Sequence, residues 1–263
     1  MEFLLGFIIA LAISLTGVGA GSMTTPLLIL LLRVPPTVAV GTALAFGAVV
    51  KVATVPMYAV RRQVNGRILL LLLAGGLPGV LIGSLLLNHL KSSPYQGVLY
   101  AALGSLIVGM ALIHLYRVFR PALRPSNHDR SRFLPWIALP IGAEVGFSSA
   151  GAGALGSLLL LSLTPLTAAE VVGTDLCFGL GVSFTGSVIQ LGAGNYDGAL
   201  LLKLIVGGLC GAFTGSLLAG KIAQRPLRVV LLLMLIALGT QLAAHAGTTP
   251  STLSHPLLSA STR

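Results

Sequence analysis

Charge is scarce in this chain: of 263 residues only 8% are charged, and just six are acidic. Soluble domains carry about 25% charged residues, so this shortage excludes an ordinary water-exposed globular surface. Two cysteines, Cys177 and Cys210, exclude a disulfide framework, and both fall in apolar runs where they read as small buried residues. The five histidines, His89, His114, His128, His245 and His255, are scattered without ligand spacing, so no metal and no cofactor is expected. A G-x-x-x-x-G-K-[ST] loop is absent, which argues against nucleotide-driven pumping by this chain.

Apolar residues are plentiful, at 55% with a mean hydropathy of +0.97. They gather into eight runs, at 3–32, 38–60, 67–88, 95–116, 133–163, 170–191, 198–219 and 228–245. A bilayer is crossed by about twenty apolar helical residues, and the alternating ten-residue strands of a barrel are missing. The expected fold is an all-α integral membrane protein. The start, Met1-Glu2-Phe3-Leu4, lacks a basic leader and reads as a retained membrane segment. Residues 1–116 form an N-terminal transmembrane repeat and 133–246 a C-terminal one. Between them, 117–132 is a basic linker carrying Arg117, Arg120, Arg124, Arg130 and Arg132. Residues 247–263, rich in Ser and Thr, form a tail expected to be disordered. The net charge of +10 comes from short loops rather than a basic stripe with interleaved aromatics, so nucleic acid is not an expected partner.

Val40-Gly41-Thr42-Ala43-Leu44-Ala45-Phe46-Gly47 matches Val172-Gly173-Thr174-Asp175-Leu176-Cys177-Phe178-Gly179 at an interval of 172 − 40 = 132. The same interval pairs Gly19 with Gly151, Gly21 with Gly153, Gly66 with Gly198, Gly75-Gly76 with Gly207-Gly208, and Gly83 with Gly215. A constant register over so many glycines marks an internal repeat. The small-residue knots at Thr16 to Pro26 and Ser148 to Ser157 interrupt the two long runs. If each knot folds its run back on itself, each half crosses a net three times and the second half is inverted. Arg61, Arg62, Arg67, the linker, Lys221, Arg225 and Arg228 then share one face, the cytoplasmic one, while Arg33, Lys91 and Lys203 fall outside. Counting hairpin legs separately gives ten helices. Four crossings per half and parallel repeats is the alternative, with poorer charge bias.

A Gly-rich first segment before a Pro, a basic-Pro turn, V-G-T-x-L, a basic loop ending Asn65-Gly66, and Gly75-Gly76-Leu77-Pro78-Gly79-x-x-x-Gly83-Ser84 together resemble the sulfite exporter TauE/SafE family. That group is also called the 4-toluene sulfonate uptake permease family. The resemblance covers about 3–245 and implies a secondary transporter of the bacterial inner membrane moving sulfite, sulfonates or related organosulfur anions. Two departures stand out: Gly19-Ala20-Gly21-Ser22 replaces a run of consecutive glycines, and Asp175 sits inside the second V-G-T motif.

Interrupted helix inside a bilayer frees backbone amides, and at the head of a resuming helix those amides and the helix dipole attract anions. Gly19, Gly21, Ser22, Thr24, Thr25, Ser148, Ser149, Gly151, Gly153 and Ser157 are therefore candidate substrate contacts, with close helix packing as the competing role. Gly75-Gly76, Gly83, Gly207-Gly208 and Gly215 are assigned to packing. Thr42 and Thr174 either cap their helices or face substrate. Charged side chains at mid-depth are costly, so Lys51 is expected to balance the anion, and Glu144 and Asp175 to bind protons for coupling. A buried Lys–carboxylate pair is the structural alternative. Lys203 is expected to snorkel, and Gln190 and Asn65 read as loop-adjacent. The function expected is proton-coupled alternating access for a small sulfur oxyanion such as sulfite, sulfoacetate or another sulfonate. The alternatives are an anion channel and a membrane-embedded enzyme, the latter disfavoured because no intramembrane His-x-x-Glu-His, paired Asp or Ser/His set is present.

Overall fold

The computed structural model describes residues 2–16, 20–91, 96–119, 131–150, 154–218 and 224–245. Among them are ten α-helices and no strand: α1 (Glu2–Thr16), α2 (Ala20–Leu31), α3 (Pro36–Val60), α4 (Gly66–Lys91), α5 (Gln96–Phe119), α6 (Leu134–Ser148), α7 (Ala154–Leu163), α8 (Ala168–Gly192), α9 (Gly198–Leu218) and α10 (Gln224–His245). Five of these, within α3, α4, α5, α8 and α9, are long and apolar enough to cross a membrane. At about 1.5 Å per residue the 25 residues of α3 reach ~37 Å, longer than the ~30 Å hydrocarbon core. The protein is an all-α integral membrane protein.

Each of the two long apolar runs yields two helices. The fifth run ends its first helix at Ser148. Ser149 then takes a left-handed conformation, φ 61° and ψ −3°, which a helix cannot continue through. In the first run α1 stops at Thr16 and α2 starts at Ala20. Gly19, Gly151, Gly153, most of the linker and the tail from Gly247 onward lie outside the described residues, as does the Ser22 side chain. Elsewhere the boundaries move slightly. Helix α5 runs to Phe119 rather than ending at 116, and α10 starts at Gln224 rather than 228.

Helices pair across the two halves more than within them. Helix α1 lies along α9, α6 along α4, α5 along α10, and α3 along α8. Small residues set the contacts. A Cβ on Gly207 or Gly211 would meet the carbonyls of Phe3 and Phe7, so α1 and α9 run parallel. One on Gly75, Gly79 or Gly83 would meet those of Pro135, Leu139 and Ala143, giving α4 and α6 the same sense. Between lipid-solvated helices, attraction comes from such close backbone approach. The assignment to packing holds at Gly75, Gly76, Gly83, Gly207 and Gly208.

The central pair α3/α8 runs antiparallel. Near the start of α3, Thr42 Oγ1 accepts from the amide of Asp197, just past the end of α8. Mid-helix, Lys51 reaches Gly179 and Ser183, and just past the end of α3 the Asn65 amide donates to Thr174 Oγ1. Two fully buried rings flank this pair: Phe178 packs onto Gly76 and Phe46 onto Gly208. Gly76→Val would force its side chain into the Phe178 ring, and is expected to cost about 1–3 kcal/mol, read as a lowered thermal midpoint in detergent. An unchanged midpoint would show that the ring yields freely.

Candidate functional site

The two interruptions meet. A Cβ on Gly21 would collide with the Ser149 carbonyl, so the second residue of α2 lies directly against the end of α6. Ser149 Oγ donates to the Gly21 carbonyl at 3.2 Å. Thr25 Oγ1 lies 2.5 Å from Ser149 Oγ, and since the serine proton is already used, Thr25 is the donor of that bond. The positive N-terminal end of α2 thus faces the negative C-terminal end of α6, a favourable arrangement of helix dipoles. Ser148 turns back on its own helix, donating to Glu144 O at 3.1 Å and accepting from the Ala150 amide at 3.2 Å. Thr24, Thr25 and Ser148 are fully buried and Ser149 nearly so. Gly21, Thr25 and Ser149 therefore come together as one junction.

Lys51 and Asp175 face the same side of α8 but do not form an ion pair. The Lys51 ammonium, on a side chain only 9% exposed, donates to Gly179 O at 3.1 Å and Ser183 Oγ at 2.7 Å. Gly179 makes room for it: a Cβ there would sit 3.2 Å from Lys51 Cε. Asp175 precedes Gly179 by one helical turn. Its Oδ2 accepts from Ser157 of α7 at 2.6 Å, while Oδ1 is buried without a hydrogen-bond partner. Among the described residues the one ion pair is Lys203–Glu2, at 2.7 Å and partly exposed. Lys51 and Asp175 thus share a buried face of α8 without direct contact, and Lys203 pairs with the start of α1. Glu144, on α6 one turn before Ser148, has both carboxylate oxygens buried with no hydrogen bond.

Thr42 and Thr174 do something neither expectation described. Asn65 caps α4 by accepting from the Ile68 amide at 3.1 Å, and Asp197 caps α9 by accepting from Leu200 at 3.0 Å. The backbone amides of these capping residues donate to Thr174 and Thr42, at 3.0 and 3.3 Å. Each threonine fixes the entry of a helix from the opposite half rather than capping its own.

A second polar cluster escaped sequence reading. Asn195, fully buried, donates to Asn88 Oδ1 at 2.6 Å and Gln190 Oε1 at 2.8 Å, and accepts from Lys91 at 2.5 Å. Gln190, which read as loop-adjacent, is also fully buried. The only signal was three amide side chains near run ends, too common to single out. Among the described residues no group of three His, Cys, Asp or Glu could hold a metal ion.

Buried hydroxyls at two broken helices, one ammonium and two carboxylates without full partners suit the handling of a small polar solute inside a bilayer. A model of the family "Sulfite exporter TauE/SafE" matches residues 2–242. The probable membrane transporter protein YjnA of Bacillus subtilis is 27% identical, over 91% of this chain and 97% of its own length. A probable membrane transporter protein of Xylella fastidiosa is 27% identical over 83% of this chain and 84% of its own. YdhB of B. subtilis, also a probable membrane transporter protein, is 25% identical over 80% and 86%. No solved structure gives a significant match. With nearly its whole length matched, and with relatives named as membrane transporters rather than enzymes, the chain belongs to the sulfite exporter TauE/SafE family.

Proposed function

We propose that this protein is a proton-coupled secondary transporter of a small sulfur oxyanion, such as sulfite, sulfoacetate or another sulfonate, in the bacterial inner membrane. The observation that carries the reading is the junction of Gly21, Thr25 and Ser149, where the head of α2 meets the end of α6. In the conformation described, the two hydroxyls bond each other. An oxyanion entering there would take over both donors and the amides at the α2 N-terminus, replacing part of its hydration. Separation of the Thr25 and Ser149 hydroxyls by the entering anion is then one step of an alternating-access cycle.

The halves are inverted repeats in this reading. Support comes from α3 and α8, which start 168 − 36 = 132 residues apart and run antiparallel. Arg61, Arg62 and Arg67 then lie on the face of the α8 start, the cytoplasmic one by charge bias, with Arg33, Lys91 and Lys203 opposite. Lys51 supplies the counter-charge. Asp175 and Glu144 supply proton sites, because an anionic oxygen buried without a donor is uncompensated and a proton removes its charge. Thr24 and Ser157 remain candidate contacts, and Ser22, Gly19, Gly151 and Gly153 are candidates on the sequence alone.

Counterflow in proteoliposomes with sulfite, sulfoacetate and sulfate, each with and without a pH step, tests this. Saturable exchange of a sulfur oxyanion, driven by the pH step, is expected. Asp175→Asn is expected to keep exchange while losing most of the response to the pH step. A flux that neither saturates nor responds to pH would identify a channel. Wild-type pH dependence in Asp175→Asn would remove that residue from coupling.

A further inference from the structure

Away from the junction, a cleft of about 410 Å³ opens between the end of α2, the start of α5 and the end of α10. Ile29, Leu30, Val34 and Leu242 form its apolar wall, while Arg33, Tyr100 and Gln241 line it with polar groups. We propose that this cleft is a binding site for a phospholipid, with the phosphodiester on Arg33 and the upper acyl chain along the apolar wall.

Four observations carry the assignment. Arg33 is exposed and, among the described residues, makes no ion pair, so its charge is free for a ligand. It stands two residues past the end of α2 in a left-handed conformation, φ 52°, uncommon outside glycine and held by the turn in which the Val34 amide bonds Leu28 O. The cleft lies at the start of α5, a helix long and apolar enough to cross a membrane, beside the ends of the shorter α2 and α10; the end of a spanning helix stands at the level of headgroups, where Arg and Tyr are the usual lipid-facing polar residues. Finally, its volume falls in the range of about 300–1,000 Å³ that accommodates sizeable organic ligands, and its wall is mostly apolar. A small oxyanion would leave that wall without a partner, whereas an amphiphile uses both the cation and the wall. Occupancy would wedge α2, which carries Thr25, against the α5/α10 pair.

The full-length protein in mild detergent, studied by native mass spectrometry, provides the test. The probes are phosphatidylglycerol, glycerol 1-phosphate as the same headgroup without chains, and sulfoacetate. The wild type is expected to retain one phosphatidylglycerol, with affinity about fivefold weaker in Arg33→Gln and largely restored in Arg33→Lys. Glycerol 1-phosphate and sulfoacetate should not displace the lipid at equal concentration. Equal retention by wild type and Arg33→Gln would overturn the assignment. So would displacement by either soluble anion, which would make the cleft a vestibule for small anions. Should Arg33→Gln fail to fold, the wild-type competition decides by itself. None of these readouts measures transport, so the lipid site stands or falls separately from the proposed cycle.

Discussion

Lys51→Met is expected to give a folded protein that exchanges sulfite or sulfoacetate about 10²–10³ times more slowly than wild type in counterflow. Opposite unit charges ~4 Å apart interact by about 4 kcal/mol at an effective dielectric of 20, and losing most of that from a bound anion gives such a factor. Folding should survive. Methionine matches the length of lysine's carbon stem and needs no hydration, while Ser183 loses one charge-assisted hydrogen bond and can bond a carbonyl of its own helix. The thermal midpoint should therefore hold or rise, because an ammonium buried against one carbonyl and one hydroxyl carries a desolvation cost that methionine lacks. Lys51→Arg should keep part of the exchange. Wild-type rates in Lys51→Met would make the residue a structural tie between α3 and α8 and nothing more.

The other large effect is expected at Gly21. Gly21→Val would place two methyl groups where the Ser149 carbonyl already lies, against the backbone of a left-handed residue that cannot shift without unwinding the end of α6. A loss of about 3 kcal/mol is expected, together with loss of exchange in whatever fraction still folds. Gly109→Val, at a position with no atom within 4 Å of an added Cβ, is the matched control and should leave both readouts near wild type. Loss at both positions would mean only that valine is poorly tolerated in these helices. Loss at Gly21 alone ties the α2–α6 contact to stability. Normal exchange in folded Gly21→Val would remove this junction as the place where substrate binds.

Sequence by itself determined what is local. Hydropathy set the position of the eight apolar runs, because the bilayer acts on each run independently of its neighbours. The cluster Ser148-Ser149-Ala150 marked a true interruption, since a left-handed residue followed by small ones ends a helix without tertiary help. Gly75, Gly76, Gly207 and Gly208 were legible as contact points for the same reason: a missing side chain is visible in one dimension.

Only the tertiary structure decided who meets whom. Lys51 goes to Ser183 and Gly179 rather than to Asp175, one turn away on the same helix, and nothing in the spacing of the charges distinguishes those outcomes. Thr42 and Thr174 serve helices of the opposite half, and Asn195 joins its neighbour Gln190 to Asn88 and Lys91 from far back in the chain. The physical reason lies in the solvent. Lipid is as apolar as the helix faces, so no hydrophobic pattern records which face is inward, and partner choice rests on the fit of backbone into glycine grooves. That fit brings α6 onto α4 and carries Ser149 to Gly21, a contact 128 residues apart in sequence.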